Sequence, residues 1–323
     1  MSKILLTHAI YENGMGILRK NDEVVVLDKT MNHDTLEDLK QADGLILRIG
    51  KVDRQMIEAC PNLKVIARPG VGVDTIDVKA ATENGIPVVV APGANVQSVA
   101  EQTLMMALLL AKNFSESFEE TKKGNFSIRN KYASVEILGK TIGVIGFGVI
   151  GRAVAKICKS VGMEVCIYDP FVTEADVSEF GYGWSGDLHE VLGKADFITL
   201  HVPSTPQTRN LLGKKELEAM KKGAFLVNCA RGDLVDEDAL YEVLKSGHLG
   251  GAAEDMMVEE PMNPDHKLFE LKNFIVSPHM AALTKESGYR TGEMTAEGVL
   301  AVLRGEKYPN VVNKEVYDHP RWK

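Results

Sequence analysis

The sequence predicts an α/β protein built from two doubly wound parallel sheets. Short apolar runs alternate with helical patterns along nearly the whole chain, and such alternation builds parallel sheets covered by helices on both faces. One long amphipathic segment, residues 96–122, interrupts the alternation and divides it into two arrays. The 323 residues also exceed what one hydrophobic core comfortably fills.

In the first array the strand candidates are Lys3–Thr7, Glu23–Leu27, Gly44–Leu47, Val65–Ala67 and Val88–Val90. Val96–Lys122 follows and reads as a single helix joining the domains, because its apolar positions recur at helical spacing. In the second array the strands are Thr141–Ile145, Glu164–Tyr168, Phe197–His201, Ala224–Asn228, Gly250–Ala253 and Phe274–Ser277. A helical pattern over Lys285–Arg304, the short apolar pair Val311–Val312 and a polar tail end the chain.

Composition narrows the function. Hydrophobic residues make up 45% and charged residues 25%, the proportions of a soluble globular protein. The net charge of -8 argues against general nucleic-acid binding, which needs a basic face to neutralise phosphates. It leaves room for an anionic substrate held by a few local cations. Cys60, Cys158, Cys166 and Cys229 form no C-x-x-C pair and read as reduced core thiols. No two histidines have metal-ligand spacing, so no metal is expected. The N-terminal residues lack the apolar core of a signal peptide, and the longest apolar run, Leu104–Ala111, is far too short for a bilayer. A cytoplasmic protein without membrane or nucleic-acid partners is the expectation.

The sharpest local motif is Gly146-Phe147-Gly148-Val149-Ile150-Gly151. A lone G-x-G-x-x-G is weak, but this one follows an apolar strand and opens a helix over Arg152–Val161. The next strand ends at Asp169, eighteen residues after Gly151. That context is the dinucleotide fingerprint. Gly146 permits the tight turn, Gly148 lets the backbone approach a pyrophosphate, and Gly151 lets helix and strand pack closely. The pyrophosphate then sits at a helix N-terminus, where free N–H groups and the dipole favour an anion. Asp169 can accept from the adenosine ribose hydroxyls. A 2′-phosphate would meet its carboxylate, and Pro170 and Phe171 bring no cation, so the expected cofactor is NAD. The plain alternative is a glycine-rich turn with an aspartate capping the turn after it.

Later strand ends carry unusual polar residues: Asn228-Cys229-Ala230-Arg231-Gly232, then Asp255 to Pro261, then Ser277-Pro278-His279. Open parallel sheets bind ligands just beyond the carboxyl ends of their strands. Arg231, Glu260 and His279, 29 and 19 residues apart, can therefore converge there. Reducing a 2-keto acid needs a hydride on carbon, a proton on oxygen and a cation for the carboxylate. His279 suits the proton transfer, since imidazole titrates near neutral pH. Glu260 beside it would favour the imidazolium and fix the ring. Arg231 would hold the carboxylate and polarise the carbonyl. Each also has a plain structural reading: a surface ion-pair residue, a turn residue before Pro261, and a capping histidine. Gly70-Val71-Gly72-Val73 reads either as a nest of N–H groups for a carboxylate or as a structural turn.

With these motifs in this order the chain resembles the D-isomer-specific 2-hydroxyacid dehydrogenases over residues 44–312. The resemblance also rests on Arg68-Pro69-Gly70-Val71-Gly72-Val73-Asp74-Thr75-Ile76-Asp77, on Asn95 and on Val99-Ala100-Glu101. It implies a Rossmann-type NAD-binding domain over 99–284. It implies a flavodoxin-like substrate domain over 1–98 and 285–323, with a cleft between the two. Within that cleft it implies that Arg231 binds substrate and that Glu260 pairs with His279, the proton donor and acceptor. Val149 and Ile150 would donate to the pyrophosphate, and His201 and Pro203 would line the adenine side. Asp255 and the backbone at Cys229 and Ala230 would contact the nicotinamide amide, bordered by His279, Ala281 and Ala282. Val71, Gly72, Asn95 and Arg48 would face the substrate.

Two departures stand out: the residue before Asp255 is usually apolar in the family but here is Glu254, and Glu259 adjoins Glu260. Arg48, Lys51 and Arg54 form either a second anion site or a solvated basic face, the latter preferred. The resemblance further implies a homodimer through the nucleotide-binding domain and, with no extra C-terminal domain expected, no serine feedback through one.

The expected function is NAD-dependent interconversion of a small 2-hydroxy acid and its 2-keto acid. Alternatives are D-3-phosphoglycerate dehydrogenase specifically and a non-catalytic NAD-sensing binding protein of the same fold. Formate dehydrogenase shares the fold but has Gln where this chain has Glu260.

Overall fold

A computed structural model describes residues 1–131 and 133–323. The chain divides into two compact units, Met1–Asn95 with Leu283–Lys323, and Val96–Ala282. Each contains one all-parallel sheet, the arrangement that β-α alternation demands.

In chain order the first unit runs β1 (Lys3–Leu6), α1 (Glu12–Leu18), β2 (Glu23–Val26), α2 (Leu36–Leu39) and β3 (Gly44–Ile46). It continues with α3 (Arg54–Glu58), β4 (Val65–Ala67), α4 (Val78–Glu83) and β5 (Val88–Val89). The strand order is β2-β1-β3-β4-β5. Strands β3, β4 and β5 are buried throughout, as expected of strands covered on both faces.

The second unit opens with α5 (Val96–Ala111) and α6 (Phe114–Lys122). It continues β6 (Thr141–Ile145), α7 (Val149–Ser160), β7 (Glu164–Tyr168), α8 (Glu174–Ser178), β8 (Gly183–Trp184) and α9 (Leu188–Lys194). Then come β9 (Phe197–Leu200), α10 (Lys214–Ala219), β10 (Phe225–Asn228), α11 (Glu237–Lys245), β11 (Gly251–Glu254) and β12 (Phe274–Val276). Its sheet has the order β12-β11-β10-β9-β6-β7-β8. The chain then returns to the first unit with α12 (Lys285–Leu303).

The single helix expected over 96–122 is two helices. Asn113 takes a left-handed backbone at φ 48, which breaks the ladder between α5 and α6. Asparagine tolerates that region because its short amide bonds locally. The two pieces also differ in burial: α5 buries Val99, Thr103, Met106 and Leu110 at helical spacing, whereas α6 buries none. The fingerprint helix opens at Val149, three residues before the expected Arg152, so Val149, Ile150 and Gly151 form its first turn. Strand β8 has two residues and lies at the sheet edge beside β7, too short to carry a period.

The apolar pair Val311–Val312 runs antiparallel along the edge of the first sheet: Val90 N donates to Asn310 O (3.0 Å) and Val312 N to Val88 O (2.9 Å). Asn313 fastens it from inside, accepting from Val88 N (2.8 Å) and donating to Ile86 O (3.0 Å).

Each sheet has one point where the winding reverses, between β1 and β3 in the first and between β6 and β9 in the second. Ligands of open parallel sheets bind at the carboxyl ends of strands beside such a switch.

Candidate active site

At the switch of the second sheet, β6 runs straight into Gly146. That residue has φ 97, in the left-handed region that an L side chain rarely adopts. A Cβ on Gly151 would lie 2.0 Å from Gly146 O, so the first turn of α7 rests on the loop's own backbone. Gly148 is the N-cap of α7, without a side-chain cap, and a Cβ there would meet nothing within 4 Å. The helix of twelve residues thus presents an uncapped N-terminus to open space, where an anion is favoured. Val149 is exposed beside it, and Ile150 packs partly into the core. These features fit a dinucleotide: the turn bearing Val149 and Ile150 would hold the pyrophosphate.

Asp169 closes the loop. Its Oδ2 accepts from Phe147 N (2.8 Å) and its Oδ1 from Phe171 N (2.8 Å). The carboxylate therefore caps the turn after β7 and also stands beside the glycine loop. A carboxylate has about four acceptor sites, so the two bonds leave capacity for a diol. Sequence reasoning missed Arg152, whose Nε donates to Phe147 O (3.1 Å) while its guanidinium lies 4.3 Å from the Phe147 ring centroid. His201 follows β9, the neighbour of β6, and its ring bonds Thr199 Oγ1 (2.9 Å). Burial pushes its imidazole down to about 3, so it is neutral near pH 7. Pro203 is exposed two residues on.

The second half of the site follows the neighbouring strands β10, β11 and β12. After β10, the fully buried Asn228 shapes the turn: Oδ1 accepts from Ala230 N (3.0 Å) and Nδ2 donates to Arg231 O (2.9 Å). Arg231 is half-buried and its Nη1 donates to Ala230 O (2.7 Å). Cys229 is buried, and burial pushes its thiol up to about 12, so it is no nucleophile. A Cβ on Gly232 would lie 2.2 Å from Met257 C, so the turn after Arg231 is pressed against the loop leading to Glu260.

After β11, Asp255 is buried and accepts three bonds: Ser277 Oγ (2.5 Å), Met280 N (2.9 Å) and Ala281 N (2.8 Å). The carboxylate expected to meet the nicotinamide thus also clamps the loop that carries His279. That clamp matters because His279 has φ 50, a left-handed conformation unusual for a bulky residue and sustained only by its surroundings. Ala281 is buried in the core cluster and Ala282 is half-buried. Replacing Asp255 by Ala strands three donors, and the expected cost is about 3 kcal/mol. A urea titration measures that loss, and kcat should fall alongside it as the histidine loop loosens.

His279 Nδ1 lies 3.1 Å from Glu260 Oε2. Both side chains keep about two-fifths of their surface exposed, so the pair is open to a ligand. Glu260, not Glu259, is the carboxylate that reaches the ring. Its loop is held by Glu237 at the start of α11, whose Oε1 accepts from Val258 N (2.9 Å) and whose Oε2 faces His266 Nε2 (3.4 Å). Nothing in the local pattern around Glu237 signals this support.

Apart from Arg231, the residues expected to face the substrate belong to the first unit. Arg48, after β3, is exposed and donates to Ala9 O. Val71 is exposed and Gly72 half-buried in the loop after β4. Asn95 Oδ1 is buried without a hydrogen-bond partner among the described residues. Arg54 is committed to Glu58 (3.1 Å) and Glu83 (2.6 Å), consistent with a solvated face.

Comparison with known proteins places this arrangement. Residues 104–281 match the family model described as D-isomer specific 2-hydroxyacid dehydrogenase, NAD binding domain. The D-3-phosphoglycerate dehydrogenase of Methanocaldococcus jannaschii is 46% identical over 314 residues, covering 97% of this chain and 60% of that protein. The chain spans about six-tenths of the length of the curated relatives it matches. Among solved structures, the TT0316 protein from Thermus thermophilus superposes with a TM-score of 0.87 at 34% identity, covering 96% of this chain and 99% of that one. The NAD-dependent formate dehydrogenase from Staphylococcus aureus, in complex with NAD, gives 0.84 at 29% identity, covering 97% of this chain and 99% of that one. On the matched NAD-binding region and on relatives aligned along nearly its whole length, the chain belongs to the D-isomer specific 2-hydroxyacid dehydrogenase family.

Proposed function

We propose that the protein is an NAD-dependent dehydrogenase that interconverts a small D-2-hydroxy acid and its 2-keto acid, and that D-3-phosphoglycerate is the first substrate to test. The observation that carries this reading is the Glu260–His279 contact of 3.1 Å at the carboxyl end of the sheet that also carries the glycine loop. The substrate suggestion comes from the names of the relatives.

Bound NADH supplies the hydride. Arg231 pairs with the substrate carboxylate and draws electron density from the adjacent carbonyl. His279 gives a proton from Nε2 to the carbonyl oxygen in reduction and takes it back in oxidation. Glu260 holds Nδ1, which fixes the ring for the transfer. The second unit is the NAD-binding domain in this reading. The first unit supplies Arg48, Val71, Gly72 and Asn95 to the substrate. We place the enzyme in the cytoplasm, in keeping with four cysteines that are all free thiols.

A panel of 2-keto acids that includes 3-phosphohydroxypyruvate, assayed with NADH and with NADPH, tests the reading. Turnover with NADH and much weaker turnover with NADPH is expected. No turnover with any member would overturn it.

The protein works as a homodimer in this reading. Leu104, Met105, Leu108, Leu109, Phe114 and Ile157 line an apolar groove of about 440 Å³ on the second unit. Sedimentation should show a dimer for the wild type and a monomer for Met105→Asp.

A further inference from the structure

One buried acid of this neighbourhood has no part in the proposed reaction. Glu254 is fully buried at the end of β11, after the small residues Gly251, Ala252 and Ala253. By strand alternation it shares the face of Ala252, which packs with Leu234, Leu240 and Met257 under α11. The neighbouring Asp255 belongs to the opposite face and to the histidine loop. Glu254 Oε1 accepts from Asn228 Nδ2 at 3.4 Å, and Oε2 has no partner among the described residues. The same Nδ2 group gives its other hydrogen to Arg231 O at 2.9 Å.

We propose that Glu254 is a positioning residue for Arg231, acting through the amide of Asn228. This role rests on the assignment of Arg231 as the substrate's cation. Each Nδ2 hydrogen has its own acceptor, but both acceptors hold the same nitrogen, so a shift of that nitrogen toward Glu254 lengthens the bond to Arg231 O. A neutral carboxyl competes weakly at 3.4 Å and leaves the bond to Arg231 O intact. A carboxylate competes about twice as strongly. It draws the amide toward β11 and releases the backbone of Arg231.

The surroundings keep the neutral form in place near pH 7. Burial pushes the Glu254 carboxyl up to about 8, and the carboxylate of Glu237 on α11 pushes the same way, against the bond from Asn228. The two neighbouring carboxylates each hold other partners as well. Glu237 holds Val258 N and faces His266, and Asp255 holds residues 277–281. Above pH 8 the site therefore changes from a neutral to a charged acid, and the turn bearing Arg231 loosens.

The test measures KM for the best 2-hydroxy acid in the oxidation direction as a function of pH. In that direction His279 is the proton acceptor of the proposed reaction. For the wild type we expect KM to rise by up to about tenfold from pH 7 to pH 9, the worth of about one hydrogen bond, while the Kd for NAD stays level. In Glu254→Gln and Glu254→Leu, which cannot ionise, KM should stay flat. The leucine variant serves if the glutamine variant does not fold.

A second readout needs no turnover. Hydrogen exchange at Ala230 N, bonded to Asn228 Oδ1 (3.0 Å), should lose protection above pH 8 in the wild type and not in the variants. Equal KM profiles in wild type and variants, or equal loss of protection, would overturn the role of Glu254. A wild type that turns over no substrate yet shows the exchange difference would sink the dehydrogenase reading alone.

Discussion

Replacing His279 by Ala is expected to lower kcat for 2-keto acid reduction by about 10³-fold, within the range of a lost general acid. NADH affinity should stay within about twofold, because no bond from the His279 side chain reaches the glycine loop in the architecture described. The imidazole is the proton-transfer group of the proposed reaction, and Glu260 lies 3.1 Å from its Nδ1. Glu260→Gln keeps the shape but replaces the charged acceptor at Nδ1 with a weaker neutral one. It should therefore fall between wild type and His279→Ala in kcat. Steady-state NADH oxidation reads the first quantity and a fluorescence titration with NADH the second. Loss of NADH binding in His279→Ala would mean that the histidine supports the fold rather than the chemistry.

Gly151→Ala is expected to abolish useful NADH binding and to cost about 3 kcal/mol of stability. A Cβ there would sit 2.0 Å from Gly146 O. Both atoms belong to backbone or to a side chain with no rotamer, so no torsion relieves the overlap. Either α7 moves away from β6 or the loop opens. In both cases the uncapped helix N-terminus no longer faces the place the pyrophosphate needs. Gly148→Ala is the informative companion. Its Cβ would meet nothing within 4 Å, so the apo protein should lose far less stability than Gly151→Ala does, no more than the difference between Gly and Ala at an N-cap. The methyl group would stand where the phosphates approach, and NADH affinity should drop. Melting curves and NADH titrations of both variants separate a packing role from a ligand-facing role. Normal NADH affinity in Gly151→Ala would contradict the account of the loop.

What the sequence showed well was local. Strand, glycine turn, helix, strand and Asp169 fall within one short stretch, and each has a periodic or stereochemical signature. The ends of β10, β11 and β12 were legible as well, because a parallel sheet brings successive carboxyl ends to one edge. The break at Asn113 was not legible, since apolar spacing continues through it and only the backbone conformation of one residue ends the helix. The supports of the site were also hidden. Asp255 holds residues up to 26 positions away, and Glu237 holds Val258 across 21 positions. No period or motif reports pairings that only the fold creates. Glu254 was visible as a departure from the family pattern, but its burial and its link to Asn228 required the structure.

Cocrystallisation of the protein with NADH and oxamate, an unreactive analogue of a 2-keto acid, bears most directly on the site as a whole. The oxamate carboxylate should lie on the Arg231 guanidinium. Its carbonyl oxygen should be within about 3 Å of His279 Nε2, with the pyrophosphate over Val149 and Ile150. Oxamate bound away from Arg231, or a His279 ring turned from it with Glu260 unpaired, would contradict the proposed chemistry.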